Sequence, residues 1–109
     1  MTARLGGHTV TVLRPLGQDG FGDPLPGDPA ETEVTGAFMQ PAGTTERTDD
    51  RDTVDSAWTC FLPPTADIRA TDRIRWRSTV YEVDGDPQPF DDLRGATRHI
   101  EVRLRRVTG

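Results

Sequence analysis

Lysine is absent from this 109-residue sequence: all 13 basic residues are arginine. A GC-rich coding bias is the plainer reading of that skew; the other is that arginine suits bidentate contacts at protein interfaces better than lysine does. Only one cysteine is present, Cys60, which excludes an intrachain disulfide and a cysteine-built metal cluster. Two histidines, His8 and His99, stand isolated, neither at an i, i+2 or i, i+4 spacing from a second ligand type. They read as surface or rim residues, so no metal site is expected. No apolar run approaches the roughly 20 residues of a membrane-spanning helix. The first residues carry no apolar signal segment either. The expectation is a soluble protein with no export signal and no membrane partner. No phosphate loop, nucleophile elbow or catalytic triad can be traced, so neither an enzyme nor a cofactor is expected.

What the chain does have is 11 glycines and 9 prolines, against a hydrophobic content of 33%. With no helical periodicity in view, that composition points to a turn-rich, all-β domain. A single domain, residues 1–109, is expected, because a chain of this size buries roughly two-thirds of its unfolded surface. The net charge of −5 is unevenly spread. Residues 1–68 hold 4 arginines against 11 acids, and residues 69–109 hold 9 against 7. An acidic total argues against a general duplex-DNA binder, which needs a basic footprint to neutralise phosphates.

Period-two alternation marks the strands. "HTVTVLRP" (residues 8–15) alternates Val10 and Val12 with threonines. "TEVTGAFMQ" (32–40) puts Val34, Gly36 and Phe38 on one face, with Gly36 a bulge or bend. "TVDSAWTCFL" (53–62) aligns Val54, Trp58, Cys60 and Leu62. "RIRWR" (73–77) turns Ile74 and Trp76 one way and Arg73, Arg75 and Arg77 the other; "VYEV" (80–83) returns after "ST". "RHIEVRLRRV" (98–107) places Ile100, Val102 and Leu104 inward and Glu101, Arg103 and Arg105 outward. The predicted fold is a small antiparallel β-barrel or sandwich of about six strands, the barrel preferred, with two long polar loops, 16–31 and 41–52.

Several residues invite a chemical reading, and each has a plainer one. Cys60 lies on an apolar strand face with no local histidine to raise its thiolate fraction, so it reads as a structural thiol. "DDRD" (49–52) and "DGD" (84–86) have the acid density of calcium loops. They lack the glycine and terminal glutamate at EF-hand spacing and read as solvated turns. Asp67 and Asp72 read as turn caps that accept backbone N–H groups rather than as an acid–base pair. Trp76, Tyr81 and Arg75 could form the surface of an OB-like module that binds single-stranded nucleic acid. However, Trp58 and Trp76 alternate in phase with aliphatic residues, which puts them in the core.

An Asp67-Ile68 pair, a short spacer, Asp72-Arg73-Ile74 opening a strand, then Tyr81-Glu82-Val83-Asp84-Gly85 and a closing strand rich in Val, Leu and Arg form one pattern over residues 67–107. That pattern resembles the head-to-tail stopper, or head-closure, proteins of long-tailed phages, especially those of actinobacterial hosts. The resemblance implies a β-barrel subunit of a ring, six-fold in such assemblies, in the virion neck, assembled in the host cytoplasm. Its implied partners are further copies of itself, the portal-adaptor ring above and the tail terminator or tail tube below. It also implies contact without sequence specificity with packaged DNA in the channel.

In such proteins a loop between the second and third main strands projects into the channel. Here the candidate plug is Gly43, Thr44, Thr45, Glu46, Arg47, Thr48, Asp49, Asp50, Arg51 and Asp52. Acidic residues in a lumen would repel DNA phosphates and favour passage over sticking. The outward arginines Arg73, Arg75, Arg77, Arg103 and Arg105 are candidates for the subunit or ring interface.

Overall fold

Threonine–valine alternation builds the first strand, β1 (His8–Arg14), whose Val10 and Val12 are buried. Six more strands follow: β2 (Ala30–Pro41), β3 (Ala57–Leu62), β4 (Arg73–Trp76), β5 (Thr79–Val83), β6 (Gln88–Asp91) and β7 (Thr97–Arg106). The computed structural model describes residues 6–42 and 57–107, so the predicted plug, residues 43–52, lies outside the described residues.

All pairings are antiparallel, in the order β3-β2-β1-β4-β5-β7, and β3 pairs back onto β7 to close a six-stranded barrel. The barrel interior holds Val10, Met39, Cys60, Leu62, Ile74, Trp76, Tyr81, Val102 and Leu104, all drawn from the inward phase of their strands. Trp58 packs against this core edge-on to Trp76 and Tyr81, at ring separations of 5.5 and 5.9 Å.

The strand outside the barrel, β6, has no counterpart among the strands expected from the sequence. It pairs only with β7, and all four of its residues are exposed. Pro89 cannot donate to a ladder, which suits an edge position and hides the strand from a pattern search.

The expected face of β2 is corrected by one residue. Gly36 adopts φ +79°, and the β1–β2 register shifts beside it, between His8 and Thr9. A bulge of this kind moves every later side chain to the opposite face. Val34 packs on the core before the bulge, and Ala37 and Met39 do so after it. Phe38, expected inside with Val34, is therefore outside and 40% exposed.

The β4–β5 turn is also shifted from expectation. Arg77 and Ser78, with φ of 52° and 67°, form the tight two-residue turn, and Thr79 already belongs to β5. Arg77 thus leaves the outward row of β4, and its guanidinium lies 4.3 Å over the Trp76 ring.

Register also sets which loops share an end of the barrel. Arg14 lies opposite Ala30, Leu13 opposite Arg73, and Leu62 opposite Ile100. The hairpin after β1, the connection after β3 and the turn between β6 and β7 consequently leave from the same end.

Candidate interaction surface

That end is organised by one buried carboxylate. Asp72 is 1% exposed at the start of β4, and its side chain receives Arg14 Nε and Nη2 at 3.0 and 2.9 Å. Its Oδ2 also accepts the backbone N–H of Arg69 at 2.9 Å, the turn-capping role expected for it. Arg14 Nη1 continues to Asp67 Oδ2 at 3.0 Å. Hydrogen bonds donated to both acids hold the Arg14 guanidinium well above its ordinary pKa, and the contact with Arg14 draws Asp67 below the usual carboxylate range. The cluster ties the last residue of β1 to the connection 58 residues later. It is a structural lock, and Asp67 and Asp72 are joined by an arginine rather than by a shared proton.

The outward arginines are largely occupied within the chain itself. Arg73, Glu82 and Arg105 lie in register across β4, β5 and β7, with Glu82 3.9 Å from Arg73 and 2.8 Å from Arg105. Arg75 reaches across β1 to Glu31 at 3.0 Å. Hydrogen bonds from these arginines lower the pKa of Glu82 and of Glu31. Arg103 forms no ion pair among the described residues; it lines a groove beside β6 with Asp84, Asp86, Gln88, Phe90 and Glu101.

The remaining candidates fall into plain structural roles. Burial pushes the Cys60 thiol up to about 12, so it stays protonated and inert at neutral pH. Trp76 and Tyr81 are 9% and 4% exposed, so they do not form the stacking surface that an oligonucleotide-binding role would use. His8 accepts the Met39 N–H at Nδ1, 3.0 Å away. Among the described residues, no three His, Cys, Asp or Glu side chains are grouped to hold a metal ion.

Three features escaped the sequence reading. First, an aromatic row crosses the outer wall: His8 stacks on Phe38 at 5.3 Å, Phe38 on Phe61 at 6.4 Å, and Phe61 meets His99 at 5.6 Å. His99 then stacks on Phe90 of β6 at 4.9 Å. Only the bulge at Gly36 brings Phe38 into this row.

The second feature is a repeated turn. Asp19 Oδ1 accepts the N–H groups of Phe21 and Asp23, and Asp92 Oδ1 accepts those of Arg94 and Ala96. Each turn closes with a 2.8 Å backbone bond between its first and fifth residues, Asp19 to Asp23 and Asp92 to Ala96. Each carries a glycine of positive φ in fourth place, Gly22 at 86° and Gly95 at 87°. Each also thrusts out an apolar side chain, Phe21 at 92% and Leu93 at 105% exposure. The signal was legible as "DGFGD" and "DLRGA", an aspartate three residues before a glycine in both.

The third feature is a cleft of about 330 Å³ between the hairpin after β1 and the barrel end, lined by Leu13, Leu16, Pro24, Leu25 and Pro29.

Two solved structures are similar to this chain. Protein SF1141 from Shigella flexneri 2a matches at 20% identity and a TM-score of 0.56, over 94% of this chain and 93% of its own. Protein xkdH of the phage-like element PBSX, from Bacillus subtilis, matches at 20% identity and a TM-score of 0.49, over 91% and 92%. At such identity the likeness to SF1141 shows the fold alone, a closed antiparallel barrel. No protein-family model matches the sequence, and no curated protein does.

Proposed function

We propose that this chain is a structural protein of a tailed-phage particle, a stopper-type subunit of the ring between the portal adaptor and the tail. One observation carries the reading. The residues that resemble the head-closure proteins are those that close the barrel and organise one end of it. Asp72 is locked by Arg14, Ile74 and Tyr81 are core, and the backbone of Asp84 bonds β7 at Arg103. The shared pattern therefore specifies a scaffold, and a scaffold is what a ring subunit needs.

The described surface supports the same role. It offers exposed apolar tips on rigid turns, which serve contact with other proteins. In this role the chain is not an enzyme and binds no cofactor. Its partners are copies of itself, the adaptor ring and the tail, with packaged DNA passing through the channel.

Cryo-electron microscopy of the phage that encodes the chain tests this reading. Density for the barrel is expected in a ring between adaptor and tail, and absence of the chain from mature particles overturns the proposal.

A further inference from the structure

The dipeptide Asp-Gly occurs twice in the chain, at Asp19-Gly20 and at Asp84-Gly85. Glycine has no side chain to shield its backbone nitrogen or to restrict its rotation. That nitrogen can therefore reach the carboxyl carbon of the aspartate before it and close a five-membered ring. The two dipeptides are chemically alike, and the fold treats them differently.

Asp19 is held fast. Its Oδ1 accepts the N–H groups of Phe21 and Asp23 at 2.8 and 3.0 Å, and its backbone carbonyl accepts the Gly22 N–H at 3.1 Å. Ring closure requires the carboxyl group and the Asp19–Gly20 peptide to rotate toward each other. All three bonds oppose that rotation, and the two onto the carboxylate are of the stronger, charge-assisted kind.

Asp84 has none of these ties. Among the described residues its one hydrogen bond runs from its own N–H to the Arg103 carbonyl at 2.8 Å, on the side of the residue that need not turn. Asp84 and Gly85 are both exposed, and a Cβ placed on Gly85 would meet nothing within 4 Å. The product fits as well. The connection from Asp84 leads to β6, which lies outside the barrel and pairs only with β7. An extra methylene in the main chain there displaces no core residue.

We propose that Asp84 converts spontaneously to isoaspartate in the folded chain, while its turn protects Asp19. The Gly85 nitrogen attacks the carboxyl carbon of protonated Asp84. The new C–N bond forms as the C–OH bond breaks, and the hydroxyl leaves with the amide proton as water. A second water then opens the succinimide ring. Opening at the side-chain carbonyl restores aspartate. Opening at the main-chain carbonyl gives isoaspartate, with the chain now running through the former side chain. Only water leaves and returns, so the step needs no other reactant. The inference goes beyond the neck role and does not depend on it.

The test is ageing of the purified chain at mildly acidic pH and body temperature, beside a sample unfolded in urea. Isoaspartate leaves the mass unchanged, so it is read by shifted retention of tryptic peptides, by their fragmentation and by labelling with an isoaspartate-specific methyltransferase. In the folded chain it is expected at Asp84, in the tryptic peptide of residues 78–94. Conversion at Asp19 should be slower by about tenfold or more, the factor that one charge-assisted hydrogen bond supplies. In urea the two sites should react at similar rates. Asp84→Glu, which would have to close a larger ring, should remove the signal from peptide 78–94.

Conversion at Asp19 as fast as at Asp84 in the folded chain overturns the proposal. So does an Asp84 that stays unconverted in the folded chain while the urea sample forms isoaspartate. A preference for Asp84 that persists unchanged in urea would assign it to neighbouring residues and sink the protective role of the turn.

Discussion

Arg14 and Asp72 make an unequal pair, because one side chain is buried and the other is partly open. The Asp72 side chain is fully buried, while that of Arg14 retains 27% of its exposure. Removing the arginine strands an ionised carboxylate away from water, whereas removing the carboxylate's charge leaves a guanidinium that still holds Asp67. Arg14→Met is therefore expected to destabilise the barrel by about 3 kcal/mol. Asp72→Asn keeps an acceptor for the Arg69 N–H and should cost about 1 kcal/mol. Urea unfolding of the two variants checks the order. Equal losses, or a larger loss for Asp72→Asn, would mean that the cluster is an exposed ion pair and not a lock.

Between strands, the same chemistry runs as a ladder, Arg73–Glu82–Arg105 across three strands, with Glu31–Arg75 beside it. Glu31, Asp67, Glu82 and Asp92 all have pKa values below their ordinary ones, the last through the N–H groups of Ala96 and Arg94. A depressed folded-state pKa means that the unfolded chain binds protons first as the pH falls. Stability is thus expected to be level above about pH 5 and to drop as the pH passes below about 4, through the folded values. Glu82→Gln should flatten that drop, and added salt should weaken the effect of the pair, since these groups are exposed. Urea midpoints between about pH 3 and 7 measure it; a drop unchanged in Glu82→Gln would assign it to other carboxylates.

Elements were legible where alternation was strong. Val10 and Val12, Cys60 and Leu62, Ile74 and Trp76, and Val102 and Leu104 are all buried as their period demands. The misses share a cause, a local backbone event that breaks the period. Gly36 slips the phase of Phe38, Pro89 masks β6, and the turn at Arg77 and Ser78 starts one residue early. Arg14 was illegible for a different reason, since its partner lies 58 residues away and no local pattern announces it.

Across the whole molecule, the described strands close the barrel among themselves. The chain leaves β2 at Pro41, which lies in register with Trp58, and the Ala42 N–H bonds the Ala57 carbonyl at 3.1 Å. The residues that flank the 14-residue segment 43–56, Ala42 and Ala57, sit side by side as the ends of a hairpin do. Replacing 43–56 with Asn-Gly, which favours a two-residue hairpin turn, should therefore leave the barrel folded. Loop-closure entropy changes by only about 0.6 kcal/mol per doubling of length, so the shortened chain should match or exceed the parent by up to about 2 kcal/mol. An unchanged circular-dichroism spectrum with an equal or higher urea midpoint is the expected result; an unfolded product would make the segment part of the barrel. In particles, the same variant separates scaffold from work. In the neck role, rings carrying it should still join head to tail yet lose packaged DNA, measured as nuclease-accessible genome in purified virions. Particles that retain their DNA would move the channel function off residues 43–52 and onto the barrel itself.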